Sequence, residues 1–375
     1  MPHIKPDIES FARIKVVGVG GSGANAVNHM IRSKVRGVEF IAINTDAQDL
    51  HQSLTHKKIR IGKGITKGLG TGMNPELGKQ AAEETKDEIH EALKGADMVF
   101  ITCGMGGGTG TGASSVIAHA AKNQGALTIG VVTKPFIFEG LERARIAENG
   151  LIKLREAVDA LIVIPNDKLL SIVSKETPFL SAFAMCDEIL RHAVEGISDL
   201  ITVPGVINVD FADVRAVMQG AGSALMGIGM GRGEARAEEA ARAAISSPLL
   251  DISINGARGV LFAISGGPDL TMWEINEAAK IITASIDQDA KIIFGAIQDE
   301  RLKKGDIKIT VIASGFPDDH IGKSATLFGP AVAQKNSPTS TNPTAKPAGA
   351  QSQNKNASED SDWDSIPAFI RRQRK

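Results

Sequence analysis

Cysteine is nearly absent: the chain of 375 residues has two, Cys103 and Cys186, and neither belongs to a CxxC pair. Without a disulfide framework to build, the cytoplasm, a reducing compartment, is the expected setting. Metal-ligand spacing is missing too. The eight histidines are scattered with no HExxH or related pattern, so no protein-built metal site is expected. No run approaches the roughly 18 apolar residues that crossing a bilayer takes, which excludes a direct transmembrane segment. Met1 to Ser10 carries charges and no apolar centre, so no signal peptide is expected there. Charge of one sign is also lacking: 42 Lys+Arg against 43 Asp+Glu leave a net charge of −1, and no nucleic acid is expected as a partner, because that needs a clustered basic face.

What the chain has instead is glycine, 40 residues of it, gathered in clusters. The densest is Gly106-Gly107-Gly108-Thr109-Gly110-Thr111-Gly112, between a strand-like run, Asp97 to Cys103, and a helix-like run, Ala113 to Lys122. Lacking Cβ atoms, such a backbone can approach a ligand and turn its N–H groups inward. At a strand-to-helix junction, those groups and the helix N-terminus form an anion site, and phosphate is the natural guest. A plain tight turn would need one or two glycines. No lysine follows the last glycine, so the loop is not the GxxxxGK[ST] of P-loop nucleotide hydrolases.

The length allows two domains. Arg13 to Gly23 reads as a buried strand entering a glycine turn, then a helix from about Ala24 to Ile31, and Gly18, Gly20 and Gly23 satisfy GxGxxG. A second strand, Val38 to Asn44, ends at Thr45-Asp46, where a dinucleotide-binding fold puts its ribose-binding carboxylate. An NAD-dependent dehydrogenase is therefore an alternative on this segment. The glycine-rich stretch Gly62 to Gly72 follows, then a helix from Asn74-Pro75 to about Leu93, and the strand Ala126 to Val132 after the main loop. Alternating strands and helices predict an α/β parallel sheet with ligands at the carboxyl ends of its strands. Two glycine loops at such ends point to phosphates gripped twice.

A charged helix from near Glu139 to about Val158 and a strand Ala160 to Ile164 complete this half. Phe179 to Thr202 has helical spacing over more than six turns, with Phe183, Ile189, Ala193 and Ile197 on one side, and is read as a central helix between domains. Strands are expected at Ala224 to Met230, Arg258 to Ser265, Lys291 to Ile297 and Asp306 to Ser314, with helices near Glu234 to Ile245 and Thr271 to Ser285. They make a smaller α+β domain. Pro317 to Ser361, rich in Ser, Thr, Asn, Pro, Ala and Lys, cannot bury enough apolar surface to fold, and reads as a disordered linker. Trp363, Ile366, Phe369 and Ile370 then reappear before a basic end, Arg371, Arg372, Arg374 and Lys375. An apolar cluster on a tether is expected to dock in a partner's groove, a frayed end being the alternative. The expected divisions are thus 1–12 (extension), 13–178 (nucleotide-binding, Rossmann-like), 179–202 (central helix), 203–222 (loop and following helix), 223–316 (α+β domain), 317–361 (linker) and 362–375 (tail peptide).

Taken segment by segment, the first 316 residues resemble the tubulin/FtsZ family of GTPases. The signature is Gly106 to Gly112, with Gly18 to Asn25, Asn44-Thr45-Asp46, Gly68 to Pro75, Thr133-Lys134-Pro135-Phe136, Pro165-Asn166-Asp167-Lys168 and Asn208-Val209-Asp210-Phe211-Ala212-Asp213 in support. Asp364 to Arg371 resembles the tail peptide of the family's bacterial division members. The resemblance implies GTP/GDP as ligand, with Mg²⁺ held mainly through its phosphates. Gly20, Gly21, Ser22, Gly23 and Ala24 with Gly106, Gly107, Gly108, Thr109, Gly110 and Thr111 would hold the phosphates. Asn25, Asn166 and Asp187 match positions around the guanine, whose N1–H and exocyclic amine suit an Asp carboxylate, and Phe183 would stack on it. Glu139 and Arg143 match positions near the ribose and phosphates, although alone they would read as a surface ion pair. His29 falls where several relatives carry a basic residue.

The family also implies head-to-tail filaments in which Asn208, Asp210 and Asp213 lie under the nucleotide of the next subunit and complete hydrolysis there. Carboxylates inside their own pocket would repel phosphates, whereas a neighbour's could orient the attacking water. Loop solvation or helix capping is the local alternative for both aspartates. The expected setting is a division ring at midcell under the inner membrane, with membrane-tethering and regulatory division proteins bound through 362–375.

Overall fold

The computed structural model describes residues 12–170, 178–248, 250, 254, 256–287, 289–299 and 301–316. The linker, the tail peptide and nearly all of the N-terminal extension lie outside them. The first half runs β1 (Ile14–Val19), α1 (Gly20–Arg32), β2 (Val38–Asn44), α2 (Ala47–Gln52), β3 (Lys57–Arg60), α3 (Pro75–Glu84), α4 (Lys86–Leu93), β4 (Met98–Gly104), α5 (Thr109–Lys122), β5 (Leu127–Lys134), α6 (Leu141–Ala157), β6 (Ala160–Pro165) and α7 (Asn166–Leu170). A 3-10 turn, Ile137–Glu139, lies between β5 and α6. These strands are all parallel, in the order β3-β2-β1-β4-β5-β6. That is the doubly wound dinucleotide-binding order, whose switch point lies between β1 and β4.

Strand period makes the two faces. On β1, Ile14 and Val16 join the core covered by α1 and the later helices, whereas Val17 and Val19 join the core under α3 to α6. Both faces are buried, so these strands read as continuous apolar runs. Where one helix was expected from Asn74 to Leu93, two form. Asn74 caps α3 by accepting from Glu76 N and Leu77 N, with Pro75 in the first turn. The break falls at Thr85, whose hydroxyl donates back to Ala81 O at 3.3 Å and lies 3.3 Å from the Gly62 N–H. The chain there serves the Gly62 loop at the cost of helical continuity.

Then comes α8 (Phe179–Thr202), over the expected span, followed by α9 (Phe211–Met218), β7 (Gly222–Arg232), α10 (Arg236–Ile245), β8 (Gly259–Gly266), α11 (Met272–Thr283), β9 (Lys291–Gln298) and β10 (Asp306–Ser314). The second domain is mixed, with β10 antiparallel to β7 and β8, and β9 parallel to β8. Its strands continue the first sheet: Ala160, Leu161 and Ile162 of β6 pair with Gly222, Ser223 and Ala224 of β7, which makes one sheet of ten strands.

Helix α8 is tied to both halves. Its apolar side, including Leu190, Ala193, Val194 and Ile197, belongs to the core that contains Ala26, Val27 and Met30 of α1. From its other side Glu195, 1% exposed, is paired with Arg191 of the same helix, with Arg301 and, at 3.5 Å, with Lys308 of β10. Burial alone would raise this carboxyl, but His192, Lys308, Arg191 and Arg301 together hold it below the ordinary range. A buried carboxylate is tolerated when cations surround it in this way.

Candidate nucleotide site

The carboxyl ends of β1, β4, β5 and β6 meet at one cavity of about 470 Å³. It lies at the switch point, where α1 and α5 leave the sheet on opposite faces. Both helices begin within the glycine loops themselves, α1 at Gly20 and α5 at Thr109, and neither has an acidic residue in its first turn. Two sets of unpaired N–H groups and two positive helix ends therefore converge without a carboxylate to oppose an incoming anion. The loops also brace each other. Gly20 has a φ of +72, and a Cβ there would lie 3.0 Å from the Gly110 nitrogen, so glycine is required by backbone angle and by space.

Hydroxyls lock the loops in place. Ser22 Oγ accepts from the Gly104 N–H at 2.7 Å, and Thr111 Oγ1 accepts from the Gly106 N–H at 2.9 Å. The Thr109 hydroxyl lies 2.8 Å from Thr45 and 3.2 Å from Thr71, which joins the end of β2 and the stretch before α3 to the main glycine loop. Of the phosphate-holding residues expected from the sequence, Gly20, Gly21, Ser22, Gly107, Gly108, Thr109 and Gly110 line the cavity. Gly23, Ala24, Gly106 and Thr111 are not in its wall, and neither is Asn25, expected beside the guanine. Gly106 and Thr111 close the loop on itself, and Gly23 packs against the Thr102 carbonyl.

On the opposite wall stand Asn166, Phe183, Asp187, Glu139 and Arg143, all expected. Asn166, the first residue of α7, is 6% exposed and its side-chain oxygen has no partner. A buried orphan acceptor of that kind suits a ligand donor. Asp187 is pushed up to about 6, chiefly by burial, with His29 pulling the other way. The Phe183 ring meets Phe136 edge-on, centroids 5.3 Å apart. Arg143 donates to Glu139 at 2.7 Å, and Glu139 in turn accepts from the Phe136 N–H at 3.0 Å, so this pair shapes the rim.

The wall also holds residues that sequence reasoning did not single out as contacts. Thr71, Gly72, Met73, Thr133 and Pro135 fall inside the motifs Gly68 to Pro75 and Thr133 to Phe136, so position in a motif was the available signal. Cys186 and Leu190 flank Asp187 on one face of α8, which helical spacing could have predicted. Asp46, the ribose carboxylate of a dehydrogenase, is engaged elsewhere: it caps α2 by accepting from Gln48 N and Asp49 N.

Asn208, Asp210 and Asp213 are not brought to this cavity. They follow the far end of α8. Asp187 and Thr202 stand about four turns apart, about 22 Å at the helical rise. The loop is pinned by Val206 N and Ile207 N donating to Ala296 O of β9 and by Asn208 Oδ1 accepting from Gly205 N at 2.7 Å. Asp210 caps α9 through Ala212 N at 3.0 Å, which is the local role foreseen for it, and Asp213 is exposed in the first turn of that helix.

The layout is that of a two-domain α/β nucleotide-binding protein, and known families give its class. Residues 13–174 match the tubulin/FtsZ family GTPase domain, and residues 222–317 match the FtsZ family C-terminal domain. The chain belongs to the tubulin/FtsZ family of GTPases. Among solved structures it is similar to FtsZ of M. jannaschii, seen as an empty dimer, at 46% identity and a TM-score of 0.79, over 82% of this chain and 89% of that one. A tryptophan-to-tyrosine mutant of the same M. jannaschii protein matches at 47% identity and 0.79, over 82% and 92%. CetZ2 of Haloferax volcanii, a GTPγS-bound protofilament, shares the fold at 22% identity and 0.69, over 82% and 94%. Membership implies GTP and GDP as ligands of this chain and removes the dehydrogenase alternative.

Proposed function

We propose that this GTPase assembles head to tail and that each active site is completed across the contact, in the service of a bacterial division ring. The observation that carries this is the separation just described: Asp187 in the cavity wall and the Asn208 to Asp213 loop flank opposite ends of α8. Neither can reach the other in one chain, and stacking copies along that direction brings a loop to each cavity. A contact between unlike surfaces repeats without closing, so it grows into a filament. Large apolar side chains flank the cavity and lie exposed: Leu69 at 70%, Ile137 at 81% and Leu141 at 80%. Val206 is exposed on the loop itself. Such exposure is expected of surfaces that another subunit covers.

In the assembled site, Gly20 to Ser22 and Gly107 to Gly110 hold the phosphates, Asn166 and Asp187 take the guanine edge, Phe183 stacks on the base, and Glu139 and Arg143 border the ribose. Asp210 and Asp213 of the neighbour orient and polarise the attacking water, with Asn208 fixing their loop. Among the described residues no three His, Cys, Asp or Glu side chains gather to cage a metal, while the hydroxyl residues Ser22, Thr71, Thr109 and Thr133 are among those that line the cavity. That donor set fits Mg²⁺, which keeps much of its water and takes phosphate oxygens. Bound there, the ion would neutralise phosphate charge.

The test is GTP turnover against protein concentration. A shared site predicts no turnover below a threshold and a linear rise above it; strict proportionality from the lowest concentration would sink the shared site. The proposed tail 362–375, with its apolar cluster and basic end, supports docking to membrane-tethering and regulatory division proteins. None of the helices among the described residues is long and apolar enough to cross a membrane, so a tether suits a ring under the inner membrane. Removing Trp363 to Lys375 is expected to spare turnover and assembly while weakening capture by such a tether in a pull-down. Equal capture of the shortened chain would refute the tail's role.

A further inference from the structure

His29 is absent from the cavity wall, yet it is bound to the helix that forms it. Its Nε2 lies 2.8 Å from Glu188 Oε2 on α8. Glu188 is held from behind by Arg191, whose Nε donates at 2.9 Å, and by His192 at 3.2 Å. Arg191 first, then His192, keep this carboxyl far below the usual range, and His29 adds to the effect. Glu188 thus stays charged at any working pH and offers the imidazole a fixed anion. Consecutive residues on a helix point about 100° apart, so while Glu188 turns to α1, Asp187 turns into the cavity.

We propose that His29 is a positioning residue for guanine: as an imidazolium clamped by Glu188, it supplies from outside the wall the positive charge that keeps Asp187 a carboxylate. This rests on the GTP site described above and deepens it. Other charged groups around α1 are committed elsewhere. Lys15 of β1 pairs with Glu39 of β2 at 3.3 Å, and Asp49 of α2 lies against Gly21, two turns before His29. Arg32 is exposed in the last turn of α1, and the cationic face of Arg191 is taken by Glu188 and Glu195.

Proton uptake by Asp187 gives the role its consequence. Burial pushes this carboxyl up to about 6, and the charge on His29 opposes that rise. Protonated Asp187 can no longer accept from both guanine N–H groups, so affinity falls as pH drops through that range. A charge already on His29 delays the fall.

The experiment is fluorescence polarisation of a methylanthraniloyl-labelled GTP on the full chain from about pH 5 to 8, for the wild type, His29→Gln and His29→Arg. In His29→Gln the half-point of the acid limb is expected to move up by roughly half a pH unit, a loss of about threefold in affinity near pH 5.5. Near pH 7.5 it should match the wild type within about twofold. Arginine, always charged, is expected to restore or extend the acid limb. Superimposable acid limbs in all three proteins would overturn the inference, as would an equal loss at every pH that arginine does not repair, the mark of packing alone. No binding by the wild type near pH 7.5 would instead overturn the GTP site.

Discussion

Replacing Asp213 by alanine is expected to abolish GTP turnover while GTP binding stays within about twofold of the wild type, the loss being on the order of a hundredfold or more, as for removal of a positioned acid–base group. The two halves of that expectation come from the same geometry. Asp213 is exposed in the first turn of α9, beyond the far end of α8 from the cavity wall, so its removal leaves the chain's own pocket untouched. It does remove the carboxylate that the proposed contact would offer to the next chain. Mixing is the decisive step. Asp213→Ala keeps a sound cavity and Asp187→Ala keeps a sound loop, so where the first receives the loop of the second a complete site forms. In a random equimolar filament that is about a quarter of contacts, and turnover should return to that order. A mixture as silent as its parts, although both variants assemble, would rule out sharing. Lost GTP binding in Asp213→Ala would do the same.

Asp187→Asn should exchange one purine for another. An ionised carboxylate accepts from guanine N1–H and the exocyclic amine; the amide offers one acceptor and one donor. Two hydrogen bonds to a charged group become one good contact and one clash of donors, and each such bond contributes roughly 1.5–3 kcal/mol. GTP affinity should fall on the order of a hundredfold. Xanthosine triphosphate has an oxygen where guanine has its amine, and it should gain what GTP loses. The acid limb of binding should also disappear, because an amide does not titrate and the group that takes up a proton near pH 6 is gone. Competition of both nucleotides against a labelled probe measures all of this. An Asp187→Asn protein that still prefers GTP would mean that Asp187 does not read the base.

How much of this was legible in the sequence follows from which forces act locally. Strands β1, β4 and β5 could be read because a parallel sheet buried on both faces needs unbroken apolar runs. Helix α8 could be read because one long apolar stripe repeats over its whole length. The starts of α1 and α5 were placed too late in the chain, and for one reason. Glycine disfavours helix in isolation, yet Gly20, Gly110 and Gly112 lie in first turns because only a residue without Cβ fits. At Gly112 a side chain would run into the Pro75 carbonyl, and Pro75 belongs to a different helix. Tertiary contact overrode propensity there. The short α2, β3 and α7 were invisible because four to six residues carry too little period to register.

At the site, residue types announced the phosphate loops, while the base and ribose positions came from resemblance. Asn166, Phe183 and Asp187 are far apart in the chain from the glycine loops; Asn166 meets them from the end of β6, and Phe183 and Asp187 through the return of α8 across the sheet. No spacing rule encodes that. The seam between β6 and β7 was equally hidden, since three residue pairs on two strands some sixty positions apart leave no local trace.

A pocket near one end of α8 and a loop beyond its other end have one more consequence, which concerns counting. A row of n chains joined in that manner has n cavities but only n − 1 junctions. A pair therefore works at half capacity per chain, and efficiency approaches its ceiling only as rows lengthen. In the proposed filament, the chain at one extremity would hold GTP that no neighbour could hydrolyse, and the chain at the other would show a loop with nothing to act on. The two extremities are thus chemically unlike, and growth and loss at them should proceed at different rates.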